Sequence, residues 1–361
     1  MAGAVTVIHP RSGDILNRND GVESDDGLRI TVRGRASGAS PVTVNGVPAR
    51  IENSVFSCDV VLKKKRNCIV AACGDARHEI EVWWNRRSRK RYRFSVDDNI
   101  LFLKDFGLHS GEYASLFDHW YMGFWRQMHV EHGTKVHINI YYQTQGFDLT
   151  QMPDKWKDEW EANVSWLHLS FHALQDAPER PYRNARYPQM AHDYALVCGH
   201  IRRFAGNEVL SATTTVHWAE CPRDAALALR DRGIEHLVGL FDAGEAEGPP
   251  TTGYYLSAEQ CRYCDTRGAW RDTDTGLTFI RCTAVVNALR LDDVERFLDA
   301  RTATPHTGEI VELLIHEQYF RKELPYYQPD AMDKVRAALQ WAAQRGYEPV
   351  FWSDGFLGTR G

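Results

Sequence analysis

The sequence predicts an α/β fold, a (β/α) barrel of seven or eight strands preceded by a small all-β sandwich. Three observations carry this reading. Residues 1–88 consist of short strand-like runs broken by Gly, Asn and Pro; residues 89–361 alternate strand-like with helix-like runs; and a basic stretch, "RRSRKRYR" at positions 86–93, marks the change of texture. An open doubly wound sheet is the alternative for the second part, but no GxGxxG follows its first strand.

In the first part, "LRITVRG", "VTVNG", "SVFSCDVVL", "NCIVAAC" and "HEIEVWW" are rich in Val, Ile, Thr and aromatics, with near period-two alternation. Strands of this length and spacing imply an antiparallel sandwich over residues 1–88. The run from "VTVNGVPAR" to "NCIVAA" resembles the Ig-like modules that accompany bacterial carbohydrate-active enzymes. The basic stretch reads as a solvated joint between domains, with an anionic glycan or lipid contact as the other possibility.

The second part, 89–361, gives strands at about 91–96, 135–142, 164–172, 212–218, 236–241, 277–282, 310–316 and 348–352. Helices are expected between them at about 115–132, 153–162, 187–204, 222–232, 256–264, 291–300 and 330–345. Phe117, Tyr121, Phe124 and Met128 recur on one helical face and read as core.

Composition narrows the function. The 361 residues are 43% hydrophobic and 25% charged, enough for a sizeable core. A net charge of −5 argues against a nucleic-acid partner, which needs clustered positive charge. No apolar stretch approaches the roughly 20 residues that span a bilayer. The start "MAGAVTVIHPRSGD" lacks the pattern of a signal peptide, so the expected location is cytoplasmic, or secreted if a leader has been removed. The eight cysteines do not make a disulfide scaffold. Cys261 and Cys264 form a lone CxxC, read as two reduced structural thiols, with a zinc or redox site as the alternative. Oligomeric state is not legible.

In a (β/α) barrel the chemistry lies at the carboxyl ends of the strands. Here those ends carry "SVDDN" with Asp97 and Asp98, "LHLSFH" with His172, "TTTVHWAE" with His217, Trp218 and Glu220, and "LLIHEQ" with His316 and Glu317. Each group alone has an ordinary reading. One of the two acids could cap the helix beginning at "NILFLKD", and a single His on a strand is usually a hydrogen-bonded core residue, as His168 would be. Together they point to one site. Adjacent carboxylates repel unless a cation lies between them. A divalent metal held by Asp98 and imidazoles, Zn²⁺ or another first-row ion, would supply that charge and leave Asp97 as a base. His316 across the mouth could then protonate a leaving group. The deduced reaction is metal-assisted hydrolysis of an amide or ester.

With these motifs the chain resembles the polysaccharide deacetylases of the NodB-like group, whose fold is a variant (β/α) barrel. The resemblance implies an Asp-Asp motif at Asp97 (base) and Asp98 (metal), a metal His at His172, and a late Leu-His motif at Ile315-His316 supplying the acid. It departs from the group at Asn99, where Gly is usual, and at the second His of the metal motif, where Asp176 stands. Asp176, His168 and His217 therefore compete as third ligand, and "ERPY" at 179–182 does not sit where the group has its Arg-Pro-aromatic motif. The implied substrate is a carbohydrate or acetylated glycan that loses an acetyl group to metal-activated water. Trp156, Tyr319 and Tyr326 in aromatic loop segments, and Trp218 at its strand end, could stack on sugar faces, and Trp218, Glu220, Glu317 and Tyr319 are the expected substrate contacts. Two other readings stay open: a metal-independent glycoside hydrolase using carboxylates such as Asp97 and Glu220, and a non-catalytic carbohydrate-binding protein.

Overall fold

Alternating burial along two long strands organises the N-terminal part. In Gly27–Ser37 the side chains of Leu28, Ile30 and Val32 are buried while Arg29, Thr31 and Arg33 face solvent; in Val55–Leu62, Phe56, Cys58, Val60 and Leu62 face inward. These strands pair antiparallel within one five-stranded sheet, together with Ala4–His9, Gly21–Ser24 and Arg50–Glu52. A second five-stranded sheet holds Ala76–Trp84, Arg66–Cys73, Val42–Val44, Val47–Pro48 and Ile15–Leu16, the last running parallel to Ala76–Trp84. Both sheets contribute to one apolar core that includes Leu28, Val32, Phe56, Ile69 and Val82.

The computed structural model describes residues 4–37, 40–241 and 252–359. They divide into two compact units. The first takes residues up to Arg89, together with Trp270–Gly276 and the tail from Gly355; the second takes Lys90–Ala269 and Leu277–Asp354. The expected second domain, 89–361, thus gives up two segments to the first unit. The backbone explains one of them: Arg271 N donates to Gly13 O at 3.0 Å, and the Arg271 carbonyl would meet any Cβ at position 13, where φ is +89°.

In the second unit, parallel strands follow one another in the order Leu167–Ala173, Val136–Tyr141, Arg91–Asn99, Ile310–His316 and Ala284–Val285. Thr213–Thr214, His236–Gly239 and Thr278–Arg281 form a second parallel group. Backbone bonds extend from each group: Leu169 N to Val209 O and Ser211 N to Leu169 O on one side, Cys282 N to Gly239 O and Thr283 N to Glu312 O on the other. Helices Tyr187–Ala205, Arg223–Arg230, Ala258–Arg267, Val294–Arg301 and Ala331–Gln344 follow the expected alternation. Ser257 and Gln260 form a capping box at the start of Ala258–Arg267. Two expected strands shrink: 348–352 is only Glu348–Pro349, beside the start of Arg91–Asn99, and 212–218 is Thr213–Thr214 followed by the turn His217–Ala219.

Arg91 and Arg93 are fully buried, which corrects the reading of the whole basic stretch as solvated. Their strand is buried on both faces, so period-two alternation directs Arg91, Arg93, Ser95 and Asp97 to one side. The eight cysteines, Cys261 and Cys264 among them, are free thiols, and no cysteine joins a metal-type cluster among the described residues. No helix among the described residues is long and apolar enough to cross a membrane.

Candidate metal centre

The two acids of "SVDDN" lie at a β-bulge. The pairing of Arg91–Asn99 with Val136–Tyr141 shifts register between Val96 and Asn99, and Asp98 adopts φ +61°. In a regular strand, neighbours point to opposite faces. The extra residue of a bulge breaks that rule, so Asp97 and Asp98 both line one cavity of about 520 Å³. Asn99 braces the turn: its Nδ2 donates to Val96 O at 2.7 Å and its Oδ1 accepts from the Tyr121 hydroxyl at 2.8 Å.

Neither acid caps the helix Leu101–Leu108. Its first turn has no capping side chain of its own, and Glu317 fills that role: Oε2 accepts from Ile100 N at 2.9 Å and Leu101 N at 2.8 Å, and Oε1 from Phe102 N at 2.7 Å. Glu317 is wholly buried and paired with Arg321, so it is a helix cap and does not line the cavity. This corrects its expected substrate contact.

Three donor atoms converge beside the bulge. Asp98 Oδ1 lies 2.9 Å from His172 Nε2 and 3.2 Å from His217 Nδ1, and the two imidazole nitrogens are 3.2 Å apart. The Tyr141 hydroxyl joins them, 2.5 Å from Asp98 Oδ1 and 2.9 Å from His217 Nδ1. His172 Nδ1 donates to the Thr215 carbonyl, which turns Nε2 toward the cluster. Asp98, His172 and His217 are the group among the described residues that could hold a metal ion. One carboxylate oxygen and two imidazole nitrogens suit Zn²⁺ or a related divalent ion, so the residues fit the metal that the sequence implied. Of the other candidates for third ligand, His168 lies at the opposite end of its strand, stacked on Phe351 at 3.7 Å. Asp176 is largely exposed, 3.6 Å from His217 Nε2.

Electrostatics separate the two acids. Burial pushes the Asp97 carboxyl above its usual range, against the pull of His172 and His316. Burial also opposes ionisation of Asp98, but His316, His172 and His217 outweigh it and hold that carboxyl well below the usual range. His172 is raised, since Asp97 and Asp98 more than offset its burial. His316 Nε2 stands 4.0 Å from Asp98 Oδ2 while its Nδ1 donates to Asn287 Oδ1 at 2.9 Å.

A one-way chain of donors runs up the strands to Asp97. Arg93 Nη1 bonds His137 Nδ1 at 2.5 Å, His137 Nε2 bonds Ser170 Oγ at 2.8 Å, Ser170 donates to Asn139 Oδ1 at 2.5 Å, and Asn139 Nδ2 donates to Asp97 Oδ1 at 2.5 Å. Burial, then the Arg93 charge, holds His137 far below its ordinary range; neutral, it accepts at Nδ1 and donates at Nε2.

Of the remaining expected contacts, Trp218 and Tyr319 line the cavity. Trp218 sits at φ +66° with the Arg180 guanidinium 5.1 Å above its ring. Glu220 is drawn to Arg180 and Arg183 at 3.7 and 3.6 Å and does not line the cavity, because two cations compete for it. Trp156 is buried against Phe106, a core residue and not a sugar platform. Sequence reasoning missed Asn139, Tyr141 and Gln318. The first two stand at period two with His137 on one strand, a polar inward face that was legible but lay outside the strand ends considered.

No family model matches the sequence, and no curated protein matches it. Among solved structures, the chain is similar to a 4-α-glucanotransferase from Thermococcus litoralis, with 10% identity and a TM-score of 0.47 over 74% of this chain. The chain spans 40% of that enzyme's length. It is also similar to a proposed polysaccharide deacetylase involved in O-antigen biosynthesis from Bordetella bronchiseptica, with 11% identity and a TM-score of 0.35 over 72% of this chain and 91% of the other. A third likeness is to a proposed polysaccharide deacetylase from Mycobacterium smegmatis, with 13% identity and a TM-score of 0.36 over 72% and 85%. Likenesses of this depth fix neither fold nor chemistry.

Proposed function

We propose that this chain is a metal-dependent hydrolase of the polysaccharide deacetylase type, removing an acetyl group from a sugar. The observation that carries the reading is the pairing of Asp97, a buried carboxyl whose proton affinity burial raises, with an Asp98–His172–His217 cluster on one cavity wall, facing His316. The succession of parallel strands supports a closed barrel of seven or eight strands with the site at its carboxyl end, and the two-sheet first unit supports an Ig-like sandwich.

A divalent cation held by Asp98, His172 and His217 would polarise the acyl carbonyl and make a nearby water more acidic. Asp97 would take the proton as water attacks the acyl carbon: Asn139 fixes its Oδ1, and Oδ2 accepts no hydrogen bond from the described residues. His316, oriented by Asn287, is placed to give a proton from Nε2 to the departing sugar nitrogen or oxygen as its bond to the acyl carbon breaks. The products are acetate and the deacetylated sugar. The glycosidase reading has less support, because Glu220 is engaged by two arginines away from the cavity.

The test is acetate release from a panel of N- and O-acetylated glycans. Release should stop on chelation, return with added Zn²⁺, and fall by at least about a hundredfold in Asp97→Asn. Acetate release that survives chelation, or glycosidic cleavage in its place, would favour the metal-independent alternative.

A further inference from the structure

Asp98 does not sit at the bottom of one pocket; it stands where two meet. The cavity of about 520 Å³ described above shares Asp98, Asp176, Gln318 and Tyr326 with a second cavity of about 390 Å³. Each alone lies within the roughly 300–1,000 Å³ of small-molecule sites. The first has an apolar floor from Val238, Leu240, Val285 and Leu314. The second is walled by uncharged polar side chains, Gln143, Thr144, Gln145 and Gln175.

The polar arm is organised before any ligand arrives. Gln143 Nε2 donates to Gln175 Oε1 at 2.5 Å and Gln175 Nε2 donates to Ala177 O at 2.5 Å, which leaves Gln143 Oε1 without a partner among the described residues. At the junction, Gln318 Nε2 donates to Asp98 Oδ2 at 2.8 Å while its Oε1 is buried with no hydrogen bond from the described residues. A buried, unpaired amide oxygen is costly unless a ligand's hydroxyl or N–H meets it. Tyr326 is 62% exposed at the same junction and offers a flat face to a sugar ring. Among the described residues neither cavity is lined by Lys or Arg, while Asp97, Asp98 and Asp176 are acidic. Away from the metal cluster, an anionic chain would find no Lys or Arg among these lining residues to pair with.

We propose that the Gln143–Gln175 arm is a second sugar subsite, so that the substrate is an uncharged oligosaccharide spanning Asp98. Its acetyl-bearing unit lies in the Val238–Leu314 arm and its neighbour hydrogen-bonds the glutamines. The assignment rests on the carbohydrate reading above and adds to it the length and charge of the chain.

The experiment is calorimetric titration of the full chain, with Zn²⁺ present, using N-acetylglucosamine, its di- to tetrasaccharides and a sulfated tetrasaccharide. The neutral tetrasaccharide should bind about tenfold or more tighter than the monosaccharide, and the sulfated one more weakly. Gln143→Ala with Gln175→Ala should remove the length advantage and leave monosaccharide and Zn²⁺ affinities within about twofold. Thr144→Val serves as a milder variant, expected to lose part of the advantage, if the double variant unfolds. Length-independent affinity, tighter binding of the sulfated chain, equal weakening of mono- and tetrasaccharide, or no binding by any member overturns the proposal. If the length advantage is present and glutamine-dependent but no acetate is released from any glycan, the subsite stands and the deacetylase reading fails.

Discussion

The second unit carries two buried polar clusters on the same strands, and they are built on opposite principles. Toward the amino ends of the strands, Arg93 and Glu312 meet in a two-pronged ion pair at 2.8 and 2.7 Å, Trp352 adds a third donor to Glu312 at 2.6 Å, and His137 takes the remaining Arg93 arm. Charge there cancels and each group has its partners. Four residues along the same two strands, at the carboxyl ends, Asp97, Asp98 and His316 share a cavity without Lys or Arg among its described lining residues. A closed pair of this kind fixes register, Arg93 facing Glu312 as Asp97 faces His316. The second cluster gathers Asp97, Asp98, His172, His217 and His316 around an open cavity, an arrangement that could hold a cation.

The comparison breaks most visibly at Glu312. Glu312→Ala strands a buried guanidinium and should cost about 3–5 kcal/mol in urea unfolding. A loss below about 1 kcal/mol would mean that the lower pair is not structural. At the other end, Asp98→Ala should reduce Zn²⁺ affinity by more than about a hundredfold and lower metal-free stability at pH 7, though by less than Glu312→Ala, because it removes the anion that His316, His172 and His217 hold ionised. A large drop in metal-free stability would make the upper cluster structural as well.

Acid sensitivity should trace to the lower end. Burial holds His168 down at about 4, from an ordinary 6.5. Between those values the unfolded chain binds a proton that the folded imidazole refuses, so stability falls as pH drops through the window. His168→Phe, which keeps the stack on Phe351, should lose that component, worth up to about 3 kcal/mol near pH 4. Thermal unfolding at pH 7 and pH 4 measures it; an unchanged pH dependence contradicts the assignment. The smallest expected effect joins the two ends. Ser170→Ala cuts the donor chain between His137 and Asn139, and should cost about 1–2 kcal/mol and lower turnover about tenfold, with Zn²⁺ affinity unchanged.

Much of the upper cluster was legible because strands that alternate with helices advertise their carboxyl ends, and Asp97, Asp98, His172, His217 and His316 fall there. The bulge that turns Asp98 into the cavity was not legible, since a one-residue register shift leaves no mark in composition. Glu317 next to His316 looked like part of the site, yet the uncapped first turn of Leu101–Leu108 claims it across 215 residues or more. The lower cluster hid in plain view: Arg91 and Arg93 extend a basic stretch whose charge suggested solvent, and only period-two counting from Asp97 would have turned them inward. Trp156 and Glu220 failed for a related reason, because an aromatic or an acid in a loop does not announce its packing partner.

The central claim is that Asp98, His172 and His217 form a metal centre. Its most direct test is Zn²⁺ titration of the metal-free full chain by calorimetry, with elemental analysis of the loaded protein, for the native sequence and for His172→Ala and His217→Ala. The account predicts one bound ion per chain, lost in both variants. No stoichiometric binding, or binding that survives both substitutions, would contradict it.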